Sequence, residues 1–372
     1  MKILSNKKKI LIVCNSQFVF EKFIKESLNY YKKKKIELDV VIGTEKEIKK
    51  NDFFIPMPTN SILTFHRFIT AAYKIYKVAK KNNYNAIIHN NRNASICSRI
   101  AIFFLSTKVK SIYFSRGMYF HDDQNFLSRF LSKLIEIFFL VRTNLILSQN
   151  KEDLNSLKKF FIFFNVKTRY IGNGVDIKKF SAQKKNIKTD SLNFCTICRV
   201  SKGKGLEDLI INFKKILKLF PMSKLLIIGG PRNTEDKKYY DYLHHKYKLI
   251  YFKKKIKFTG LTNNVSSYLK KNDIYIHPSK REGMPRSLIE AMCCGLVCIS
   301  SNVRGSRELI KNNVNGFIYN DNEELLELMV NVFTFKKNKI KKISNTSSIF
   351  IKKNFSQKKY LNIQSEYVRM IL

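Results

Sequence analysis

The chain has 372 residues, 44% of them hydrophobic, enough for two ordinary domains with cores of their own, which excludes a wholly disordered polypeptide. Its formal net charge is +42, yet residues 1–170 carry 31 Lys/Arg against 12 Asp/Glu and residues 171–372 carry 39 against 16. The excess is spread evenly, which argues against a basic nucleic-acid arm, and it accompanies abundant Lys, Ile, Asn and Phe with no Trp, the bias an AT-rich genome imposes.

The first residues, 1–9, are basic like a signal-peptide start, but the apolar run that follows, 10–14, is too short for one and no cleavage site follows. That run reads as a strand, with Asn15 and Ser16 in the loop behind it. Lys32–Lys35 reads as a solvated helix end before a second strand at 38–42. Residues 66–81 are amphipathic at helical period. Ile69, Ala72, Tyr73, Tyr76 and Ala79 share the face expected to be buried, and Arg67, Lys74, Lys77 and Lys81 share the face expected in solvent or on anionic lipid. Further strands are expected at 86–89, ending on His89, at 110–114 and at 145–148. The most apolar stretch, 131–141, contains Lys133 and Glu136 and cannot span a bilayer.

Residues 170–190, polar and basic around a Gly-Asn-Gly, read as a linker. Strands then follow at 194–198, 225–228, 256–259, 273–277 and 297–300, most of them separated by helical patterns. Two tandem series of β-α units imply an α/β chain of two Rossmann-like, doubly wound domains. The seven cysteines are odd in number and irregular in spacing, so no disulfide framework is expected and a reducing compartment fits. Cys195 and Cys198 lie three apart in a strand, point to opposite faces, and have no second Cys/His pair with metal spacing, so they read as structural.

Two constellations carry chemistry. Glu282 lies in the loop after the strand at 273–277, and Glu290 lies one turn into the helix that starts near Ser287. Unpaired N–H groups and the dipole at such a helix start suit a phosphate, and a carboxylate on each side can accept hydrogen bonds from hydroxyls. Acidic residues also begin helices as caps, so spacing alone leaves both readings open. Arg199 and Lys204 occupy the loop after the first strand of the second domain, where doubly wound folds bind ligands, and two cations there suit a diphosphate leaving group. Lys202 reads as a solvated loop lysine.

In order along residues 170–330, the chain resembles family 4 of the glycosyltransferases, the large retaining group with the GT-B fold. The family's G-R-x-x-x-x-K-G is matched from Arg199 to Gly205, with Cys198 for the first Gly; its E-G-x-P…E-A-M is Glu282-Gly283-Met284-Pro285…Glu290-Ala291-Met292. Its N-G-V-D is Asn173-Gly174-Val175-Asp176, and its later G-x-x-E-L-I…N-G-F is Gly305-Ser306-Arg307-Glu308-Leu309-Ile310…Asn315-Gly316-Phe317. The Pro of its G-x-P-V-I is absent from Gly295-Leu296-Val297-Cys298-Ile299.

The resemblance implies a nucleotide-diphosphate-sugar donor, UDP-linked by preference, and a glycan or a polyprenyl- or lipid-linked acceptor. It implies transfer with retention in bacterial surface polysaccharide or lipopolysaccharide synthesis. The protein would act in the cytoplasm, with the inner membrane face as a candidate docking surface. Arg199 and Lys204 would hold the diphosphate, Glu282 the donor sugar beside the backbone of Gly283, Met284 and Pro285, and Glu290 the ribose. No metal, cofactor or nucleic acid is implied, and Asp122-Asp123 is not the D-x-D metal motif of the other glycosyltransferase fold.

An acceptor-binding domain, 1–170, would face a donor-binding domain, 171–353, across a cleft, and a helix from 354–372 would cross back to the first domain. In that first domain Arg116-Gly117-Met118-Tyr119-Phe120-His121 stands where many bacterial polysaccharide transferases carry H-G-F-H-F. Arg116 or His121 would take the role of the family's first His, with Asn15, Ser16 and His89 on the acceptor or sugar side. Two other readings stay open: a non-catalytic GT-B scaffold that binds nucleic acid or anionic lipid, and a GT-B-type nucleotide-sugar epimerase.

Overall fold

The computed structural model describes residues 8–44, 53–58, 65–117, 125–182, 191–252 and 254–372. The chain forms two compact units, Met1–Gly172 with Tyr360–Leu372, and Asn173–Lys359.

The first unit is built on a seven-stranded sheet ordered β3-β2-β1-β4-β5-β6-β7, every pair parallel. Its strands are β1 (Lys8–Cys14), β2 (Ile36–Thr44), β3 (Phe54–Pro56), β4 (Ala86–Asn90), β5 (Lys110–Ser115), β6 (Leu145–Ser148) and β7 (Lys167–Tyr170). Helices cover both faces, so the central strands are apolar on both sides and read as continuous hydrophobic runs. Ile10, Ile12, Ile88, Ile112 and Leu147 pack one face, and Leu11, Val13, Ile87 and Tyr113 the other. The first face is closed by the C-terminal helix Gln357–Ile371, whose Tyr360, Leu361 and Val368 join this core. On that helix Gln364 Nε2 donates to the buried Tyr31 hydroxyl at 3.0 Å.

The second unit carries a six-stranded parallel sheet ordered β10-β9-β8-β11-β12-β13. Here β8 is Asn193–Ile197, β9 Lys224–Ile228, β10 Ile256–Phe258, β11 Ile274–His277, β12 Val297–Ser301 and β13 Phe317–Tyr319. One core runs through it from Phe194 and Phe213 to Ile274, Ile299 and Val332.

The ten expected strands are all present, with ends shifted by a residue or two. Three more, β3, β7 and β13, are three or four residues long and sit at sheet edges. A run such as Lys-Thr-Arg-Tyr in β7 has half its residues exposed and carries no apolar signal.

The Phe65–Asn82 helix departs from the expected orientation. Its buried face is Ala71, Ala72, Ile75, Val78 and Ala79, while Ile69 and Tyr73, expected inside, are 48% and 55% exposed. All seven cysteines are free, and among the described residues no three His, Cys, Asp or Glu gather as a metal site. No helix among the described residues is long and apolar enough to cross a membrane.

Candidate active site

In the second sheet the chain leaves β8 for β9 on one side and returns through β11 on the other. The carboxyl ends of β8 and β11 therefore flank the switch point, where an open parallel sheet leaves a crevice for a ligand. The loop 198–205 leaves β8 and the loop 278–285 leaves β11. They are pressed together at Gly205, where a Cβ would collide with the Pro278 carbonyl oxygen, and its φ of +66° is left-handed. The Lys280 N–H donates to the Gly203 carbonyl at 3.1 Å across the same seam. From below, Gly305 backs the second loop, and a Cβ there would run into the Gly283 carbonyl oxygen.

This seam brings Lys204 and Glu282 together although 78 residues separate them. Lys204 Nζ donates to Glu282 Oε1 at 2.7 Å, with the two side chains 28% and 23% exposed. Ser279 Oγ donates to the same carboxylate oxygen at 3.0 Å, and Lys204 Nζ lies 3.4 Å from that hydroxyl. Burial opposes the charge on Glu282, but the Lys204 ammonium, with His277 and these hydrogen bonds, outweighs it and holds the carboxyl below its usual range.

His277, the last residue of β11, is 3% exposed, and its Nε2 stands 4.0 Å from Glu282 Oε1 with no hydrogen-bond partner. Its Nδ1 lies 3.4 Å from the Tyr275 hydroxyl. Burial pushes the imidazole down to about 4, with Glu282 opposing and Lys204 assisting, so it is neutral at pH 7. Cys198, in the family's glycine position, is equally neutral, its thiol pushed up to about 12 by burial.

Arg199 sits at the same edge, 43% exposed, with Nε 3.2 Å from Ser201 Oγ and 3.4 Å from Asp236 Oδ2. Asp236 also accepts the Arg232 backbone N–H at 3.0 Å. Burial, followed by the nearby Arg199 charge, lowers the Arg232 guanidinium from its usual range. Glu290 Oε1 accepts from Arg286 Nε at 3.1 Å within the Arg286–Cys293 helix. Pro285 is the N-cap of that helix and Gly205 that of the Leu206–Leu219 helix, and neither makes a side-chain cap hydrogen bond. Two helix N-termini thus meet the crevice without a side-chain cap at that position, each with its positive dipole end toward it. Met284 and Pro285 are buried and fix the second loop.

Sequence reasoning missed His277, Ser279, Arg286 and the Arg232–Asp236 corner. The first two were legible as the strand end and loop adjoining Glu282. Arg286 was legible as an i, i+4 partner of Glu290.

In the first unit the corresponding switch point lies between β1 and β4. Arg116, after β5, donates from Nε to Asn90 Oδ1 at 2.9 Å at the end of β4, and its guanidinium lies 4.5 Å from the Phe23 ring centre. Ser16 caps the helical segment after β1, its hydroxyl accepting from Val19 N, and Asn15 Oδ1 is buried beside it. His89 is placed otherwise than expected. It is fully buried within β4, with Nδ1 2.8 Å from Ser98 Oγ and Nε2 2.9 Å from Ser111 Oγ. Both ring nitrogens are committed, and burial followed by the Arg99 charge keeps the ring neutral, so His89, one residue before the end of β4, is a satisfied core residue. His121 lies outside the described residues.

Two parallel doubly wound units, the second with cations and helix N-termini at its switch point, define the GT-B class, and solved structures agree. A glycosyltransferase from Rickettsia africae ESF-5 superposes with a TM-score of 0.74 at 19% identity, covering 98% of this chain and 99% of that one. Anabaena HepE in complex with UDP and glucose gives 0.70 at 17% identity over 97% and 99%. Residues 177–351 match the family described as glycosyl transferases group 1. The Escherichia coli UDP-Gal:alpha-D-GlcNAc-diphosphoundecaprenol alpha-1,3-galactosyltransferase is 27% identical over 294 residues, 75% of this chain and 74% of that protein. Residues 177–351 thus form a domain like those of the group 1 glycosyl transferases, and the chain is a glycosyltransferase with the GT-B fold.

Proposed function

We propose that the protein moves a sugar from a UDP-sugar to a lipid-linked or glycan acceptor, with retention and without a metal, at a membrane surface. The observation that carries this reading is the Lys204–Glu282 pair at the β8/β11 switch point, 2.7 Å long, flanked by Arg199 and two helix N-termini. Lys204 and Arg199 supply the positive charge that a departing diphosphate needs, so no cation is required. The donor identity draws support from the UDP and glucose named in the HepE complex, and the acceptor class from the diphosphoundecaprenol in the galactosyltransferase's name.

In the reaction the acceptor oxygen attacks the anomeric carbon from the side of the leaving group. The bond from that carbon to the β-phosphate oxygen breaks, its electron pair stays on UDP, and the acceptor proton passes to the leaving phosphate. Glu282 faces the sugar as its anomeric carbon becomes positive, and Glu290 holds the ribose.

The test is incubation of purified protein with a panel of nucleotide sugars, after a thermal-shift screen, with and without excess EDTA. Slow EDTA-insensitive release of UDP from one sugar nucleotide is expected. Loss of activity in EDTA that Mn²⁺ restores would overturn the metal-free mechanism. Interconversion of the sugar in place of its release would assign the protein as an epimerase.

A further inference from the structure

The Phe126–Leu140 helix is amphipathic the wrong way round for a helix on a sheet. Its one carboxylate, Glu136, is turned inward and is 5% exposed, where it accepts from the buried Arg99 at 2.8 Å. Phe139 and Leu140 at its end pack inward, but most of its large apolar residues are turned outward: Phe126 is 84% exposed, Leu127 65%, Ile135 50% and Phe138 59%. Phe130 and Leu134 continue the stripe between them at 49% and 45%. Scattered exposed apolar residues need no explanation, but a continuous stripe running the length of a helix does.

The stripe continues across neighbouring helices on the same face of the sheet. Phe138 stacks on Phe103 at 5.2 Å between ring centres, and the adjoining Phe104, 71% exposed, meets Tyr76 at 6.4 Å. Tyr76 stacks on the exposed Tyr73, over which Lys77 Nζ lies at 4.7 Å. Across the Phe65–Asn82, Arg92–Phe103 and Phe126–Leu140 helices the only acidic residue is the internally paired Glu136. Basic residues, among them Arg67, Lys74, Lys77, Arg129 and Lys133, lie on the same elements.

We infer that this face of the first unit docks on an anionic lipid bilayer, with the Phe126–Leu140 stripe inserted into the headgroup and acyl boundary. The inference deepens the membrane placement proposed above and rests on it. An apolar stripe flanked by cations and free of exposed carboxylates complements anionic lipid. It does not complement a second copy of a chain with a formal charge of +42, which would set like charges against each other. The basic Phe65–Asn82 helix supplies attraction, and the Phe126–Leu140 helix supplies depth.

The absence of Trp makes the test clean. Phe130→Trp places a single indole reporter in the stripe, and Ile250→Trp places one at a 69% exposed site in the second unit. With phosphatidylglycerol-containing vesicles the emission of the Phe130→Trp protein should shift to the blue and be quenched by brominated acyl chains, while that of the Ile250→Trp protein does neither. Replacing Phe126, Leu127, Phe130 and Leu134 together by Ser should cut vesicle partition at least tenfold and leave UDP-sugar hydrolysis in solution unchanged. Vesicle binding without a blue shift in the Phe130→Trp protein would overturn the insertion face while the membrane placement stands, and no binding to anionic vesicles would overturn both. A parent dimer that the four substitutions dissociate, with vesicle partition unaltered, would assign the face to self-association and overturn the inference.

Discussion

Each unit contains a short ion pair that joins distant parts of its chain, and the two pairs sit in opposite surroundings. In the second unit Lys204 and Glu282 meet at 2.7 Å on the rim of the strand ends, each about a quarter exposed. In the first, Arg99 and Glu136 meet at 2.8 Å with side chains only 2% and 6% exposed. The Arg99 guanidinium lies 4.4 Å from the Tyr113 ring centre and 4.3 Å from that of Phe139. The open pair can exchange its partner for a ligand phosphate or sugar hydroxyl. The sealed pair cannot, and its consequence is to fix the Phe126–Leu140 helix with its apolar stripe outward. In the proposed reading the same chemistry serves a reaction in one unit and the orientation of a surface in the other.

The contrast is broken most directly at the sealed pair. Glu136→Ala leaves the Arg99 charge buried without its carboxylate and should cost about 3–5 kcal/mol of first-unit stability. Replacing both residues by apolar ones, Arg99→Met with Glu136→Leu, should recover most of that loss, because a buried pair is often no better than hydrophobic packing of like volume. Urea unfolding of the three proteins checks this. A double variant as unstable as Glu136→Ala would show that the pair stabilises beyond cancelling its own burial.

At the open pair the expected cost falls on rate. Lys204→Ala should lower turnover by roughly two to three orders of magnitude, the scale seen when a preorganised charge-stabilising donor is lost. The fold should persist, since the ammonium is partly exposed. A folded variant with parental turnover, measured by UDP release, would remove Lys204 from the leaving-group role.

Acid sharpens the comparison, because each unit buries a neutral histidine. Folded His277 takes up a proton only near pH 4, whereas the unfolded chain does so near 6.5. Its contribution is therefore complete above pH 6.5 and lost as the pH falls toward 4, by about 3 kcal/mol at about 1.4 kcal/mol per unit. Glu282, its carboxyl held low, has the same sign at lower pH, and Lys204 and Tyr275 are the other titrating groups beside the ring. His89 adds a loss of the same sign in the first unit, so the informative quantity is the difference from His277→Gln. A stability profile for that variant as steep as the parent's between pH 6.5 and 4 would show that His277 is not the titrating group.

The second unit was the more legible in the sequence, and the reason is physical. A ligand gripped by backbone N–H groups and two cations needs glycines where loops touch and charges at fixed offsets, so Gly205, Lys204 and the run from Glu282 to Pro285 leave a readable pattern. In the first unit one of the polar residues that drew attention, His89, serves packing. His89 ends an apolar strand in a way that resembles a site residue, and only its two serine partners, 9 and 22 residues away, reveal a satisfied core group. The Phe65–Asn82 helix misled for a related reason. Its periodicity fits more than one buried face, and the alanines, which carry little hydrophobic weight, mark the true one.

The smallest expected effects separate the two carboxylates of the open site. Glu290 is held by Arg286 at 3.1 Å within the Arg286–Cys293 helix, away from the bond that breaks, so in the proposed role it would grip a ribose equally in ground and transition states. Uniform binding of that kind affects KM, and Glu290→Gln should mainly raise the donor KM and weaken binding of free UDP. Glu282 sits in the loop before that helix, tied to Lys204 and Ser279, and in the proposed role its negative charge would stabilise the positive charge that develops on the sugar. An interaction that strengthens in the transition state affects kcat. Glu282→Gln keeps an acceptor for the Ser279 hydroxyl but removes the negative charge, so kcat should fall at least about tenfold, or roughly 1.4 kcal/mol. Free UDP carries no sugar and should bind the Glu282→Gln variant about as well as the parent. Lys204 is not lost from the site by that substitution and in the proposed role would still face the diphosphate. Calorimetric titration of UDP into both folded variants, set beside their kcat and KM values, decides the matter. A UDP affinity that falls for Glu282→Gln and holds for Glu290→Gln would exchange the two roles and place the sugar on the helix side of the crevice.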